Sequence, residues 1–420
     1  MVYFETLSNG IRVAAEQMPS FRSVSLAVWV GAGSIYENDS ERGASHFIEH
    51  MIFKGTDSRT AAEIACVMDG IGGNINAFTA KECTCFYAKV LDEHLEKAVD
   101  ILSDIVISPR LAAEDIEREK GVVIEEILMM EDSPEDLVHE TLCGLVYAGC
   151  PLALPILGTR DSVGAFSRDT LIEYMGKHYN ASNIVISCAG NFDRDKLREM
   201  LERYFSKLPG GGVSMAKSSV VRTDRAYLGL DKDIEQAHVA LGFPGYRTDC
   251  PEQYALFVLN NALGGSMSSR LFQRIREDMG LAYSVYSYPS SYADTGYFTL
   301  YAGTGEKQAK KVTELMLEEI EKLKASGITK DEFDRAKEQL KGNYMLGQES
   351  TSARSNAIGK SYLAHGKVYT EDEILKRIEA VSMEDVARAA GDVFDLSRAS
   401  AAVVSRGTKK AGIEKLISEG

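Results

Sequence analysis

The chain has 420 residues, of which 45% are hydrophobic and 26% are charged, and this composition argues against wholesale disorder and against a fibre. At roughly 150 residues per domain, the length predicts two or three domains, each able to bury a sizeable core. The formal net charge of −15 argues against nucleic acid as the main partner, because phosphate groups would be repelled.

The amino-terminal segment carries neither a basic region nor an apolar run, so no secretory signal is expected. No stretch approaches 18 uninterrupted apolar residues, so no membrane span or membrane partner is expected either. The seven cysteines are odd in number and irregularly spaced, which favours reduced structural thiols over disulfides or a cysteine zinc site. These patterns predict a cytoplasmic protein of a bacterium.

Strand and helix patterns are mixed along the chain. Alternating apolar and small residues predict a strand over 23–30, and residues 84–90 and 296–302 have strand patterns too. Apolar residues at i, i+3 and i+4 predict amphipathic helices over 95–106 and 312–323. Because strands and helices do not alternate strictly, we predict an α+β fold in which helices pack on a largely antiparallel sheet.

Three weak self-similarities divide the chain into related halves. Segments 45–55, 111–120 and 179–187 match segments 255–265, 328–337 and 394–402, at offsets of 210, 217 and 215. Their common order supports an ancient duplication. Since a glycine- and serine-rich stretch separates the halves, we predict homologous domains over 1–211 and 223–420, joined by a linker over 212–222.

The most specific motif is His46-Phe-Ile-Glu-His50, which lies in a predicted helix. Positions i and i+4 lie on one helix face, so both imidazoles can reach one metal ion. Glu49 projects near the same face and can contact a water bound to that metal. His-x-x-Glu-His is a zinc-peptidase signature. The alternative is a pair of packing or surface histidines that flank an acid.

A third metal ligand must come from elsewhere, because a catalytic zinc ion usually takes three protein ligands. The predicted helix over 118–126 carries Glu119 and Glu126, which are two turns apart and lie roughly on one face. The alternative is that both are ordinary acids on a solvated helix face. From the residues alone, either carboxylate could face the histidines.

Three segments carry a resemblance to a known family: residues 45–55 together with Glu126, residues 72–84 and residues 264–276. They resemble the pitrilysin and mitochondrial-processing-peptidase superfamily of zinc endopeptidases, in its short-chain branch. The resemblance implies one zinc ion per chain and a general base that activates water. It assigns the zinc ligands to His46, His50 and Glu126, the general base to Glu49, and the orientation of a ligand or the water to Glu119.

The resemblance also implies two substrate-binding features. The first is an edge strand whose backbone pairs with an extended peptide; its residues are Asn76, Ala77, Phe78 and Thr79. The second is Arg276 with Tyr283, which would grip the substrate and stabilise the tetrahedral intermediate. This pair would act across the interface of a homodimer. From the residues alone, Arg276 is a surface residue at a helix end, Tyr283 is a strand aromatic and the edge strand is an ordinary one.

The second half serves as an internal control for these assignments. Every candidate metal-binding group of the first half is replaced there, which is expected if those groups form one functional unit. Leu256, Leu259 and Asn260 stand at the positions of the motif, and Ala336 and Asn343 at those of the two glutamates.

We therefore expect a zinc-dependent endopeptidase that hydrolyses short or unfolded peptides in a closed dimer chamber. One alternative is a non-catalytic scaffold, against which the complete set of metal groups argues. The other is one subunit of a heterodimeric processing peptidase. Because one chain holds both the metal groups and the Arg276 and Tyr283 pair, a self-sufficient homodimer is favoured.

Overall fold

Two β-sheets, each packed against helices, organise the chain. A computed structural model describes residues 2–213, 219–221, 224–408 and 412–419. The strands are β1 (Val2–Thr6), β2 (Arg12–Gln17), β3 (Ser23–Val30), β4 (Asn74–Thr79), β5 (Thr84–Leu91), β6 (Ile184–Gly190), β7 (Ala226–Asp231), β8 (Gln236–Gly245), β9 (Ala282–Ser291), β10 (Gly296–Gly305) and β11 (Ser400–Ser405).

Helices follow or separate these strands throughout the described residues. The α-helices are α1 (Ala44–Ile52), α2 (Ala61–Gly70), α3 (Leu95–Ile107), α4 (Ala113–Asp132), α5 (Pro134–Val146), α6 (Arg160–Ala165), α7 (Arg168–His178), α8 (Arg194–Phe205), α9 (Gln253–Leu263), α10 (Ala309–Ser326), α11 (Lys330–Gly347), α12 (Thr351–His365), α13 (Glu371–Ala380), α14 (Met383–Val393) and α15 (Ile413–Glu419). A π-helix spans Phe272–Asp278. Within the described part of the chain, no helix is both long enough and apolar enough to cross a bilayer.

The predicted α+β class is confirmed. Strands β3, β5 and β10 and helices α3 and α10 fall on the segments whose periodicity predicted them. Neighbouring strands are antiparallel except for the pairs β2 with β6 and β7 with β11. Both sheets are therefore largely antiparallel and carry helices, as the sequence indicates.

The chain divides into two compact units. Unit 1 comprises Met1–Ile127, Leu154–Lys217 and Met345–Thr370, and unit 2 comprises Leu128–Ala153, Ser218–Tyr344 and Glu371–Gly420. The strand order in unit 1 is β1-β2-β6-β3-β5-β4, which leaves β4 at an edge. In unit 2 the order is β7-β11-β8-β10-β9, which leaves β9 at an edge.

Each unit contains one helix from the other half of the sequence. Helix α12 packs on β2, β3 and β6 in unit 1, and α5 packs on β8 and β11 in unit 2. The two helices start 217 residues apart, which is the offset of the second self-similarity. Helices α5 and α12 are thus matching helices, and each packs in the unit formed mainly by the other half of the sequence. The predicted contiguous domains, 1–211 and 223–420, do not include this exchange. Of the expected linker over 212–222, residues 214–218 and 222 lie outside the described residues.

Separate apolar cores stabilise the two sheets. In unit 1, Val28 of β3, Phe47 and Ile48 of α1 and Leu102 of α3 are fully buried in one cluster. In unit 2, strands β8 and β10 pack apolar side chains against α9, α10 and α14. Burial of such side chains is worth about 1.5–3 kcal/mol each. The core of unit 1 holds the apolar face of α1 in place. The other face of this helix can therefore carry polar functional side chains.

None of the seven cysteines forms a disulfide, and five of them are buried. Burial raises the pKa of Cys83 to about 11, so its thiolate is scarce at neutral pH. Burial likewise raises the pKa of the Cys188 thiol. These cysteines pack as small apolar residues rather than as reactive groups.

Candidate metal centre

Helix α1 begins at a glycine turn that only this residue type can form. Gly43 has φ +87°, and a Cβ atom there would lie 2.7 Å from the carbonyl oxygen of Leu157. The carboxylate of Glu37 accepts hydrogen bonds from the backbone N–H of Gly43 at 2.7 Å and from that of Ser45 at 2.9 Å. A carboxylate at a helix N-terminus also complements the helix dipole. Glu37 therefore anchors the start of the helix that carries the His-x-x-Glu-His motif.

Glu37 is itself a buried acid. Only 6% of its surface is exposed, and this burial raises the pKa of its carboxyl to about 7. The two backbone donors act in the opposite direction and keep the pKa from rising further. The charge of Glu37 therefore changes near neutral pH.

Three side chains of α1 and α4 converge in unit 1. The Oε2 atom of Glu126 lies 3.5 Å from Nε2 of His46 and 3.5 Å from Nε2 of His50. The imidazole rings of the two histidines have centroids 4.6 Å apart. One ligand atom from each of the three residues lies within 4.8 Å of the other two. The structure thus brings together the residues that the resemblance assigns as zinc ligands.

The donor set fits a zinc ion. Zinc bonds of about 2.0–2.2 Å in tetrahedral geometry place neighbouring ligand atoms roughly 3.3–3.5 Å apart. The two distances to Glu126 have this length. Two imidazole nitrogens and one carboxylate oxygen are a known catalytic zinc set, and they leave one position for water or substrate.

The two imidazoles are suited to metal binding in different ways. Burial, and then the neighbouring His50, lower the pKa of His46 to about 4, so this imidazole is neutral at physiological pH. A neutral imidazole is the form that coordinates metal. The Nδ1 atom of His46 is buried and has no hydrogen-bond partner among the described residues.

The imidazole of His50 has a hydrogen-bond partner on its Nδ1 atom. Its Nδ1 atom lies 2.9 Å from Oε1 of Glu119, which leaves Nε2 to face Glu126. The side chain of Glu119 is only 4% exposed, and its Oε2 atom lies 2.7 Å from Nζ of Lys54. Carboxylates that hold the second nitrogen of a metal-binding histidine fix its tautomer and ring orientation. Glu119 occupies that position here.

Glu49 lies on the same helix, beside the convergent group. The hydroxyl of Thr79 donates a 2.6 Å hydrogen bond to Oε2 of Glu49. Burial raises the pKa of Glu49 above its usual value, against the effects of the Thr79 hydroxyl and of His50. The nearby Glu126 carboxylate raises this pKa further. Glu49 is therefore a carboxylate whose affinity for a proton is increased.

The four predicted edge-strand residues lie on β4, at the open edge of the six-stranded sheet, and pair there with β5. The N–H of Ala80 donates to the carbonyl of Cys83, and hydrogen-bonded pairs alternate along an antiparallel ladder. By this alternation the N–H groups of Ala77 and Thr79 point to the open edge. The Ala77 N–H is held there by Oδ1 of Asn76 at 2.8 Å. Phe78 lies between these outward positions.

Arg276 and Tyr283 lie in unit 2, on the π-helix and at the start of β9. The guanidinium of Arg276 lies 4.7 Å from the centroid of the Tyr283 ring and 4.8 Å from that of Phe272. The Tyr283 side chain is an exposed aromatic, with 76% of the residue surface accessible. The structure therefore brings these two predicted residues together on the surface of their unit.

The matched positions of the second half serve packing. Leu256 and Leu259 of α9 are buried in the core of unit 2. Oδ1 of Asn260 accepts a 2.8 Å hydrogen bond from the hydroxyl of Ser287, and Ala336 is buried on α11. Three of the five matched side chains, Leu256, Leu259 and Ala336, are thus buried in the core, whereas Asn343 is exposed.

Sequence reasoning missed three contacts: the Glu37 anchor, the Lys54 ion pair and the Thr79 hydroxyl on Glu49. Lys54 stands four residues after His50, one helical turn further on, and this spacing is a usable signal. Glu37 stands six residues before the N-cap Gly43, outside the capping positions, so no capping rule would find it. No spacing rule links Thr79 to Glu49, because β4 and α1 meet only in the folded sheet.

Two family models match the chain. The model described as Insulinase (Peptidase family M16) matches residues 12–160, and the one described as Peptidase M16 inactive domain matches residues 165–340. The metal group from His46 to Glu126 lies in the first match. The "inactive" description applies to the second, which contains Leu256, Leu259, Asn260 and Ala336 at positions matched to the metal group.

Relatives of similar length extend over nearly the whole chain. A protein named uncharacterized zinc protease YmxG, from Bacillus subtilis, is 44% identical over 394 residues, which are 94% of this chain and 96% of that protein. The uncharacterized zinc protease SCO5738 of Streptomyces coelicolor is 41% identical over 396 residues, 93% of this chain and 86% of that protein.

Solved structures share the fold at low sequence identity. A protease from Helicobacter pylori has a TM-score of 0.91 at 21% identity and covers 96% of this chain and 99% of its own. A chain of Complex III2 from Candida albicans has a TM-score of 0.86 at 22% identity, covering 100% of this chain and 99% of its own. The family models and the relatives together show that the chain belongs to peptidase family M16, the pitrilysin superfamily.

Proposed function

We propose that the chain is a zinc-dependent endopeptidase that hydrolyses short or unfolded peptides, with one zinc ion held by His46, His50 and Glu126. The observation that carries the proposal is the convergence of these three ligand atoms within 4.8 Å of one another. The zinc-protease names of relatives more than 40% identical support the same metal and the same reaction class.

Glu49 is the general base of this proposal. A bound zinc ion supplies Lewis acidity, which polarises a peptide carbonyl and makes water more acidic. Glu49 accepts a proton from the attacking water and later delivers it to the leaving amine. The Thr79 hydroxyl occupies Oε2 of Glu49 and leaves Oε1 for the proton. Because burial raises the pKa of Glu49, the carboxylate holds the proton until the amine takes it.

The open edge of β4 is the proposed substrate platform. An extended peptide can add to this edge as a further strand, with main-chain hydrogen bonds supplying affinity. The N–H groups of Ala77 and Thr79 point outward for this pairing. The Asn76 side chain must release the Ala77 N–H when a substrate takes its place. Thr79 also contacts Glu49, so the platform adjoins the general base.

Arg276 and Tyr283 would complete the site from a second copy of the chain. Tyr283 is exposed and Arg276 lies against its ring, so a partner could present both groups together. A phenol that donates to the developing oxyanion is typically worth about 3 kcal/mol, or roughly a hundredfold in rate. The proposal includes a homodimer that encloses two sites, and a cytoplasmic location in a bacterium.

A non-catalytic scaffold or one subunit of a heterodimer is the alternative. The fold alone allows either role, since a chain of Complex III2 from Candida albicans shares it. The complete metal group and the exposed Arg276 and Tyr283 pair in one chain favour the self-sufficient enzyme.

Peptide cleavage by the purified chain alone tests this proposal. We expect a mixture of unfolded peptides to be cut, with products read by mass spectrometry, and we expect a chelator to stop cleavage and added zinc to restore it.

Glu49→Gln should retain zinc and lose about 10²–10⁴-fold in rate, the usual contribution of a general base. The exposed Glu125 supplies the control Glu125→Gln, which should remain active. Absence of cleavage by the zinc-loaded dimer would instead support the scaffold.

A further inference from the structure

We propose that Lys54 is a positioning residue that braces α1 to α4 through Glu119 and so preorganises the metal-binding side chains. The Lys54–Glu119 ion pair is called the brace below. The inference rests on the proposed function, because it assumes that His50 and Glu126 bind the metal.

The backbone that carries Lys54 is held rigidly. Its N–H donates to the carbonyl of Met51 at 3.0 Å, just beyond the end of α1. The next residue, Gly55, has φ +114°, and a Cβ atom there would lie 3.0 Å from the carbonyl oxygen of Arg59. The N–H of Thr56 closes this turn by donating to the same oxygen at 2.7 Å. The Lys54 side chain therefore leaves from a fixed point.

Each carboxylate oxygen of Glu119 contacts a partner side chain. Oε1 lies 2.9 Å from Nδ1 of His50, and Oε2 lies 2.7 Å from Nζ of Lys54. The side chain is 4% exposed, so water cannot easily take the place of either partner. A carboxylate held at both oxygens has one orientation, and this orientation aims Oε1 at the histidine.

The brace connects the two helices that carry the ligands. Lys54 lies one turn beyond His50, in the segment that continues α1, while Glu119 lies two turns before Glu126 on α4. An ion pair of 2.7 Å between them therefore restrains how far the histidines can move from the glutamate ligand. Such restraint lowers the cost of assembling the site around a metal ion.

This pair differs from an ordinary surface salt bridge. Exposed pairs contribute little, because water and salt screen them. The neighbouring Lys120 illustrates that case, since it pairs at 2.7 Å with a Glu117 side chain that is 71% exposed. Lys54 instead meets a nearly buried carboxylate whose other oxygen is on a proposed ligand. Loss of Lys54 frees Glu119 to rotate away from His50.

Zinc affinity tests the brace without any use of catalysis. The full-length apoprotein is titrated with zinc in competition with a chromophoric chelator, at one pH, for the wild type and for Lys54→Met, Lys54→Arg and Lys120→Met. Loss of partners behind a metal ligand typically weakens binding about 10–100-fold, and Lys54→Met should fall in this range. Lys54→Arg keeps the charge and should stay within about threefold, and Lys120→Met within about twofold, since its partner carboxylate on Glu117 is 71% exposed. Thermal unfolding of each apoprotein verifies that it is folded.

A double-mutant cycle separates positioning from a general structural role. If Lys54 acts through Glu119, then Lys54→Met should add no further loss of zinc affinity in a Glu119→Gln background. Should Lys54→Met fail to fold, Lys54→Gln replaces it in the same cycle with the same expectation.

Three results would overturn the brace: Lys54→Met within twofold of the wild type, equal losses in Lys54→Met and Lys120→Met, or fully additive losses in the cycle. A wild-type chain that binds no zinc would overturn both this inference and the proposed function. If the wild type binds zinc and Lys54→Met binds it equally tightly, the brace is overturned and the proposed function is not.

Discussion

At the scale of single residues, burial shifts the pKa values of two groups of the site in opposite directions. Burial lowers the pKa of His46 to about 4 and raises that of Glu49. The imidazole is thereby kept neutral for coordination, and the carboxylate is made a better proton acceptor. The surroundings of His46 and Glu49, three residues apart on α1, thus suit the different roles that we propose for them.

Glu37 gives the fold a dependence on pH that one substitution should remove. Burial raises the pKa of its carboxyl from 4.5 to about 7, so the folded chain holds a proton that the unfolded chain releases. Stability linked to this proton is present below about pH 4.5 and is lost as the pH rises through about 7. We expect the free energy of unfolding of the wild type to fall by about 2 kcal/mol between pH 5 and pH 8 relative to Glu37→Gln.

Urea denaturation of both proteins at the two pH values measures this difference. Glu125→Gln removes an exposed carboxylate and should follow the wild type at both. A gap between wild type and Glu37→Gln that stays constant with pH would show that Glu37 is ionised throughout.

The residues of the site differ in how far the sequence could predict them. His46, Glu49 and His50 were predictable because one helical turn places them on one face. Glu126 came only from the family resemblance, since the residues alone left it level with Glu119. Glu37 and the Thr79 hydroxyl depend on where the chain returns in three dimensions, and no local periodicity encodes such contacts.

At the scale of elements, β4 has an open edge, which we propose as the substrate platform. Ala77→Pro removes an outward N–H without breaking a bond to β5, and proline is tolerated at such edge positions. We expect kcat/KM for peptides to fall about tenfold, the value of one lost hydrogen bond, while zinc affinity stays unchanged. Ala77→Gly keeps the N–H and is the control. Unchanged kcat/KM in the proline variant would show that peptides bind elsewhere.

The exchanged helix α12 packs closely on the sheet of unit 1 at Gly359. A Cβ atom on Gly359 would lie 2.0 Å from Nε1 of Trp29 and 2.6 Å from Oγ of Ser187. Gly359→Ala should therefore destabilise the fold by about 1–3 kcal/mol through overpacking. In Gly391→Ala, at an exposed position of α14, the added methyl meets no atom within 4 Å. That control should gain about 0.5–1 kcal/mol.

Urea denaturation of the two glycine variants decides whether α12 packs this closely. Equal stabilities for Gly359→Ala and Gly391→Ala would contradict the close approach of α12 to β3 and β6.

Individual elements were predictable and the helix exchange was not. Periodicity located β3, β5, α3 and α10, because each buries one face on its own sheet. The duplicated sequence also indicated two sheets. Which sheet a helix covers depends on tertiary packing, and α5 and α12 carry no local signal that assigns them to the other half.

At the scale of the whole molecule, the two halves of the sequence differ in the metal group. The first half keeps the complete metal group, and the second keeps the scaffold with leucine, asparagine and alanine in its place. If Tyr283 of one copy serves the metal site of another, then two inactive variants should complement each other.

Mixing Glu49→Gln and Tyr283→Phe chains tests this sharing. After dissociation and reassociation, each mixed dimer holds one site with an intact Glu49 and an intact Tyr283 from the partner. Random pairing should then restore about a quarter of wild-type activity, since half the dimers are mixed and one site in each is complete. Peptidase assays before and after mixing report the gain. No gain in mixtures shown to contain mixed dimers would place Tyr283 in the same chain as the base that it serves.

Anomalous diffraction at the zinc edge, from crystals of the purified chain, tests the central claim most directly. The account predicts one anomalous peak per chain, about 2.0–2.2 Å from Nε2 of His46, Nε2 of His50 and a carboxylate oxygen of Glu126. A peak held by other residues, or a zinc-loaded crystal with no peak beside these three side chains, would contradict it.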